Sequence, residues 1–167
     1  MAERMTFWGV GPRLALLSFG YSIVPFFLTL YYPEYFVISS IPASVFNFAG
    51  IILLAVGIPF WALSARTIAR GFKDGVLCTH GVYSIVRHPV YSALIVFVIP
   101  GFLMFFRSWA LLTVPFCTYL IFKRLIGREE NYLEERFGEE YLKYKSRCNA
   151  IVPTIFLFQF DGTEERP

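Results

Sequence analysis

The sequence predicts an all-α integral membrane protein: about four transmembrane helices followed by a cytosolic amphipathic helical segment. Three observations predict it. Of 167 residues, 56% are hydrophobic and 19% aromatic, and only 16% are charged; a soluble domain is nearer half apolar and a quarter charged. The apolar residues are gathered into runs close to the ~20 needed to cross a bilayer. Lysine and arginine concentrate in alternate connections, as expected of a multi-pass protein.

The first span is read from Leu14 to Tyr32, with a kink at Pro25 of the kind packed membrane helices tolerate. A short connection, Pro33 to Pro42, carries Glu34 as its one charge. The second span, Phe46 to Ala65, contains Gly50, Gly57 and Pro59, small or bending residues that let helices approach closely. Residues 66–90 hold Arg66, Arg70, Lys73, Asp74, Arg87 and His88 among Gly71, Gly75 and Gly81, and are read as a long polar loop. The third span runs from Pro89 to Phe106. Arg107-Ser108 is a tight turn, and Trp109 to Ile126 is the fourth span, which makes an antiparallel helical hairpin. From Lys123 to Arg147 the chain is dense in both charge signs. Leu133, Phe137, Tyr141 and Tyr144 share one helical face, with Gly138 a possible interruption. Ile151 to Phe160 is apolar but too short to span, and is expected at the membrane surface. Residues 1–167 form one domain, with two N-terminal spans up to residue 65 and a motif region over 76–153; Met1 to Thr6 and Asp161 to Pro167 are assigned no role.

Charge placement sets the orientation. Arg4 and Arg13 precede the first span, and the first connection has no basic residue. Arg66, Arg70, Lys73 and Arg87 lie in the second, Arg107 alone in the third, and the remaining eight of 15 lie between Lys123 and Arg166. Both termini and the 66–90 loop are therefore expected in the cytoplasm. Basic residues are interleaved with acids, which argues against a nucleic-acid partner. Cys78, Cys117 and Cys148 are too far apart for a zinc or CxxC pattern, so no metal site is expected. The expected partners are membrane lipids and a lipophilic small molecule or lipid-modified substrate.

Two polar boxes interrupt the apolar pattern. The first is Tyr83-Ser-Ile-Val-Arg87-His88-Pro89-Val-Tyr91. Proline is favoured at the first helical position, so a helix is expected to start at Pro89 with its free N–H groups at the cytosolic edge. Those donors, with Arg87 and His88, would suit an anion; interfacial residues reaching for headgroups have the same composition. The second box is Arg128-Glu129-Glu130-Asn131-Tyr132-Leu133. Its carboxylates could bind an amine or ribose hydroxyls, or take a proton if a lipid-edge setting raises their pKa; a solvated face paired with Arg124 or Arg128 is the alternative. Both boxes fall at one end of the same hairpin, where a zwitterionic ligand would satisfy them together. Tyr83, Tyr91 and Tyr132 could face a sulfonium or an adenine ring, or sit as interfacial belt residues.

The run from Leu77 to Tyr91, the Glu129-Glu130-Asn131-Tyr132-Leu133 box, and Phe137-Gly138-Glu139-Glu140-Tyr141-Leu142-Lys143-Tyr144 resemble, in that order, the signature of the isoprenylcysteine carboxyl methyltransferase and phospholipid methyltransferase superfamily. The resemblance covers residues 76–153. It implies S-adenosyl-L-methionine as methyl donor, with Tyr83, His88, Pro89 and Tyr91 on the cofactor side and Glu129 or Glu130 completing it. It also implies Arg87 and Arg147 as grips for an anionic acceptor. The chain departs from the pattern at His80, Val82 and Cys148-Asn149-Ala150. The implied reaction is methyl transfer to an isoprenylcysteine-like carboxylate. A phospholipid amine acceptor, a nicotinamide-dependent reductase and a non-enzymatic membrane scaffold are the competing readings.

Overall fold

In the computed structural model of the chain, residues 9–153 are described. The surface segment expected over Ile151–Phe160 lies mostly outside them, as do Arg4 and Arg166. The described residues are helical, and their one β feature is an isolated antiparallel bridge between Val37 and Ser108. Helix α1 spans Gly11–Tyr31, with Pro12 in its first turn. Pro25 sits inside it, and the Pro25 carbonyl accepts a bond from the Thr29 hydroxyl at 2.7 Å. Helix α2 is a single turn, Pro33–Phe36.

Helix α3 runs Ala43–Asp74, 32 residues, about 48 Å at the usual rise. Residues 66–74, expected as loop, continue this helix. The reason is local: nothing there breaks a helix until Gly75, which closes it in the left-handed region (φ 68°). A short turn at Gly81–Ser84 follows. Helix α4, Pro89–Met104, starts at the expected proline and ends two residues before the expected boundary. Between Ala93 and Val98 it widens into a π turn just ahead of Pro100, where the missing proline N–H interrupts the α ladder. Helix α5 is Thr113–Phe137; Trp109 to Leu112, expected in the fourth span, instead prolong the turn that precedes it. Gly138 (φ 54°) divides α5 from α6, Glu139–Arg147.

Helices α1 and α3 are long and apolar enough to cross a membrane. Helix α4 is shorter than the ~20 residues a span needs, and the C-terminal half of α5 is highly charged. Leu16, Phe19 and Leu30 on α1 and Phe48, Ile51 and Ile58 on α3 are exposed, an apolar surface larger than water-facing proteins display.

Helix α3 packs on α4 and α1 on α5. The first contact depends on glycine. A Cβ on Gly50 would lie 2.7 Å from the Gly101 carbonyl oxygen, and one on Gly101 would lie 3.1 Å from the Gly50 carbonyl. The two backbones touch directly, as small-residue membrane interfaces allow. Val10, Leu14, Tyr91, Ile95, Phe122, Ile126 and Ile151 form a buried cluster that joins α1, α4, α5 and the segment after α6.

The two short connections meet at one end of the bundle. The Ile38 N–H donates to the Arg107 carbonyl (2.7 Å), the Trp109 indole donates to the Tyr35 carbonyl (2.9 Å), and Thr29 and Ser108 share a hydroxyl bond (2.7 Å). Both polar boxes, the start of α1 and the end of α3 gather at the opposite end.

Candidate active site

The first box is held in place by the chain beyond α6. The Arg87 and His88 N–H groups donate to the Asn149 and Ala150 carbonyls at 2.8 and 3.0 Å, and the Ser92 hydroxyl donates to the Ile151 carbonyl at 2.9 Å. The Tyr144 hydroxyl donates to the Tyr83 carbonyl. The donors expected to greet an anion at the start of α4 are therefore in part already paired within the protein.

Arg87 is a brace. Its Nη1 donates to the carbonyls of Lys145 (2.8 Å) and Cys148 (2.6 Å), which α6 leaves unpaired at its C-terminus. Its Nη2 meets Glu130 at 2.7 Å. Lys145 adds a second cation to Glu130 at 3.1 Å, and His88 Nε2 lies 3.4 Å away. These partners hold the Glu130 carboxyl down to about 2; the His88 contact does most, against the opposing effect of burial. The option that a lipid-edge setting raises the Glu130 pKa and lets it take a proton is therefore reversed by these three cationic or donor neighbours.

Glu129 faces the other way. Its Oε2 accepts from the Tyr91 hydroxyl at 3.1 Å and from the Val10 N–H at 3.3 Å, while Oε1 lies 3.5 Å from His88 Nδ1. His88, 5% exposed, stands between the two carboxylates. Burial pulls its proton affinity down, but the bonds and charges of Glu129 and Glu130 more than offset this, and its pKa is raised. Gly9 (φ 51°) is required beside this cluster: a Cβ there would collide with Glu129 Oε2.

These groups border a cavity of about 470 Å³, within the range of small-molecule sites. Tyr83, Arg87, His88, Tyr91, Glu129, Tyr132, Leu133, Phe137, Tyr141 and Tyr144 line it, so the two boxes and the tail stripe converge on one space. Glu130 and Pro89 stand behind this wall, and Arg147 is exposed and away from it. Burial raises the Tyr83, Tyr141 and Tyr144 phenols, which keeps them neutral.

Sequence reasoning missed the parts of the wall that α1 and α3 supply. Gly9, Gly11, Pro12 and Ala15 close it from the start of α1, and Trp61, Ala65, Ile68 and Phe72 line it from α3. The α3 group recurs at helical spacing, a signal visible once that helix is read past Ala65. At its far end Gly71 makes room for Cys78, because a Cβ on Gly71 would overlap the Cys78 sulfur.

Five tyrosines and the Glu129 carboxylate line the wall, a composition that suits a small cationic ligand. Two buried donors on lining residues, Arg87 Nε and the Tyr141 hydroxyl, have no partner among the described protein groups, as expected where a polar ligand completes the bonding.

Among the described residues, a helical bundle with a partly open, largely apolar and tyrosine-rich cavity at one end defines the class as a membrane-associated small-molecule site. The chain belongs to the isoprenylcysteine carboxyl methyltransferase family, whose model matches residues 45–135. The match starts inside α3, well before the motif region. A probable protein-S-isoprenylcysteine O-methyltransferase of Oryza sativa subsp. indica is 25% identical over 118 residues, 65% of this chain and 62% of the relative. The protein-S-isoprenylcysteine O-methyltransferase of Saccharomyces cerevisiae is 35% identical over 83 residues, 50% of this chain and 35% of the relative. Protein-S-isoprenylcysteine O-methyltransferase A of Arabidopsis thaliana is 28% identical over 120 residues, 66% of this chain and 60% of the relative. The chain thus spans at most about three-fifths of these relatives. No solved structure matches it.

Proposed function

We propose that the chain transfers a methyl group from S-adenosyl-L-methionine to the carboxylate of an isoprenylcysteine at the cytosolic edge of a membrane. The observation that carries this reading is the convergence of both boxes and the tail stripe on one aromatic, carboxylate-bearing cavity, in a chain of this family. We further infer four spans, built from α1, α3, α4 and the first half of α5, with both termini cytoplasmic. The pairing of the two short connections at the end away from the cavity supports that topology, as does the bias of lysine and arginine.

S-adenosylmethionine supplies an electrophilic methyl carbon on a sulfonium. Tyr83, Tyr91 and Tyr132, which line the cavity, would hold such a cation, and Glu129, fixed by Tyr91 and Val10, would offer its charge. His88 aligns Glu129 from beneath and is itself aligned by Glu130, while Pro89 starts the helix that carries Tyr91. Arg87 fixes Glu130 and the end of α6, and Arg147, on the outer face, would steer an anionic acceptor from outside the cavity. The acceptor carboxylate is ionised near pH 7 and needs no base. One of its oxygens bonds to the methyl carbon as the carbon–sulfur bond breaks, leaving a methyl ester and a neutral thioether. The chain contributes alignment and exclusion of water. An amine acceptor would need a base, and Glu130, held ionised well below the ordinary carboxylate range, is a poor one.

The test is transfer of radiolabelled methyl from S-adenosylmethionine to N-acetyl-S-farnesyl-L-cysteine by detergent-purified protein, with phosphatidylethanolamine as the competing acceptor. Base-labile label on the prenylcysteine, lost in His88→Ala and Glu129→Gln, is expected. Label on the phospholipid amine, or on neither acceptor, would overturn the reading.

A further inference from the structure

The reaction proposed above brings two carboxylates to the cavity, one on the amino-acid end of the methyl donor and one on the acceptor. The two arginines first expected to grip a carboxylate are poorly placed to do so. Arg87 spends Nη1 on two carbonyls and Nη2 on Glu130, which offsets its charge at 2.7 Å and leaves Nε as its one unpartnered donor rather than the two-pronged fork a carboxylate takes. Arg147 lies outside the cavity wall. His88 stands between two carboxylates.

One other cation lines the cavity among the described residues: Arg136. Glu129, Leu133 and Arg136 fall at i, i+4 and i+7 on α5, and all three face the cavity. Arg136 therefore sits about 10 Å along the helix from Glu129, near the outer end of the space. Its Nη1 hydrogen-bonds the Tyr132 hydroxyl, a neutral group, at 3.1 Å. No described carboxylate forms an ion pair with it. Its Nη2 reaches across to the end of α3, where a Cβ on Gly75 would lie 3.5 Å away. Arg136 is exposed to solvent in the last turn of α5, 5.3 Å over the Phe137 ring, and its guanidinium reaches from α5 toward α3 at the rim of the cavity with no carboxylate partner among the described residues. A planar fork of donors in that setting suits a carboxylate.

We propose that Arg136 is the carboxylate-recognition residue of this cavity. The proposal rests on the methyltransferase reading, and the experiment separates the two. Calorimetry measures S-adenosylhomocysteine and 5′-methylthioadenosine, the same nucleoside thioether without the amino-acid end, on wild type, Arg136→Gln and Arg136→Lys. Initial rates measure KM for N-acetyl-S-farnesyl-L-cysteine on the same three proteins.

In Arg136→Gln, a loss of roughly ten- to a hundredfold in S-adenosylhomocysteine affinity with 5′-methylthioadenosine unchanged assigns the arginine to the donor's carboxylate. A similar rise in acceptor KM with S-adenosylhomocysteine binding unchanged assigns it to the acceptor's. Partial recovery in Arg136→Lys, which keeps the charge but not the fork, is expected in either case. Changes under twofold in both arms, in a wild type that binds and methylates, overturn the proposal alone. So does an equal loss for both nucleosides, which reports collapse of the site. A wild type that neither binds nor methylates sinks the methyltransferase reading, and this proposal with it.

Discussion

Glu130→Gln tests the ion network beneath the cavity with almost no change of shape. Glu130 meets Arg87 at 2.7 Å and Lys145 at 3.1 Å, and its side chain is 12% exposed. Its carboxyl falls from 4.5 to about 2 on folding. Taken whole, that shift is worth about 3 kcal/mol at neutral pH. Lys145 is 34% exposed, and screening of that side of the network lowers the figure to about 2 kcal/mol. For a chain of this size that is a loss of about 4–8 °C in melting temperature. Thermal unfolding in detergent, followed with a thiol-reactive dye at Cys78, Cys117 and Cys148, reads it directly. The sign with pH follows from the lowered folded value. The carboxylate's contribution is present above 4.5 and disappears as pH falls toward 2, so the gap between wild type and Glu130→Gln must close over that window. A gap that stays constant from pH 7 to pH 3, or one below 1 °C at pH 7, would refute the network as a source of stability.

Three further outcomes are expected. Tyr91→Phe removes one of the two donors on Glu129 Oε2 and should weaken S-adenosylhomocysteine binding about three- to tenfold by calorimetry; unchanged affinity would show that Tyr91 does not position Glu129. His88 should titrate above 6.5 by NMR of labelled imidazole and move down in Glu129→Gln, because its raised folded value comes from the two carboxylates; its stabilising contribution is full below pH 6.5 and fades as pH rises through the folded value. Gly50→Ala places a methyl against the Gly101 backbone carbonyl, where no side-chain rotation relieves it, and should cost about 1–3 kcal/mol. Gly20→Ala on α1, with nothing within 4 Å, should leave the melting temperature unchanged or slightly raised, and equal effects of the two substitutions would contradict the close α3–α4 contact.

Much of the site was legible because its signals are local. Pro89 starts a helix through its own ring geometry, and Gly138 breaks one where a positive φ is needed. Leu133, Phe137, Tyr141 and Tyr144, grouped by helical spacing alone, all line the cavity despite that break. The end of α3 was misread because Arg66, Arg70 and Lys73 look like a loop beside an apolar run, yet charge does not terminate a helix. Only Gly75 does.

The sequence by itself determined an apolar helical chain, the positions of its two polar boxes, and the family those boxes belong to. Hydropathy, helix breakers and motif spacing are written in neighbouring residues. Which face each helix turns inward was decided only by tertiary packing. Glu129 and Glu130 are adjacent, so the helix turns them about 100° apart; burial of Phe122 and Ile126 in the shared core orients α5. That orientation sends Glu129 to the cavity and Glu130 to Arg87 and Lys145. The same packing brings Val10, more than a hundred residues away in sequence, onto Glu129. It also commits Arg87 to the carbonyls at the end of α6 and leaves Arg136 facing the cavity. A contact between distant segments depends on how whole helices settle against one another, and no local pattern encodes it.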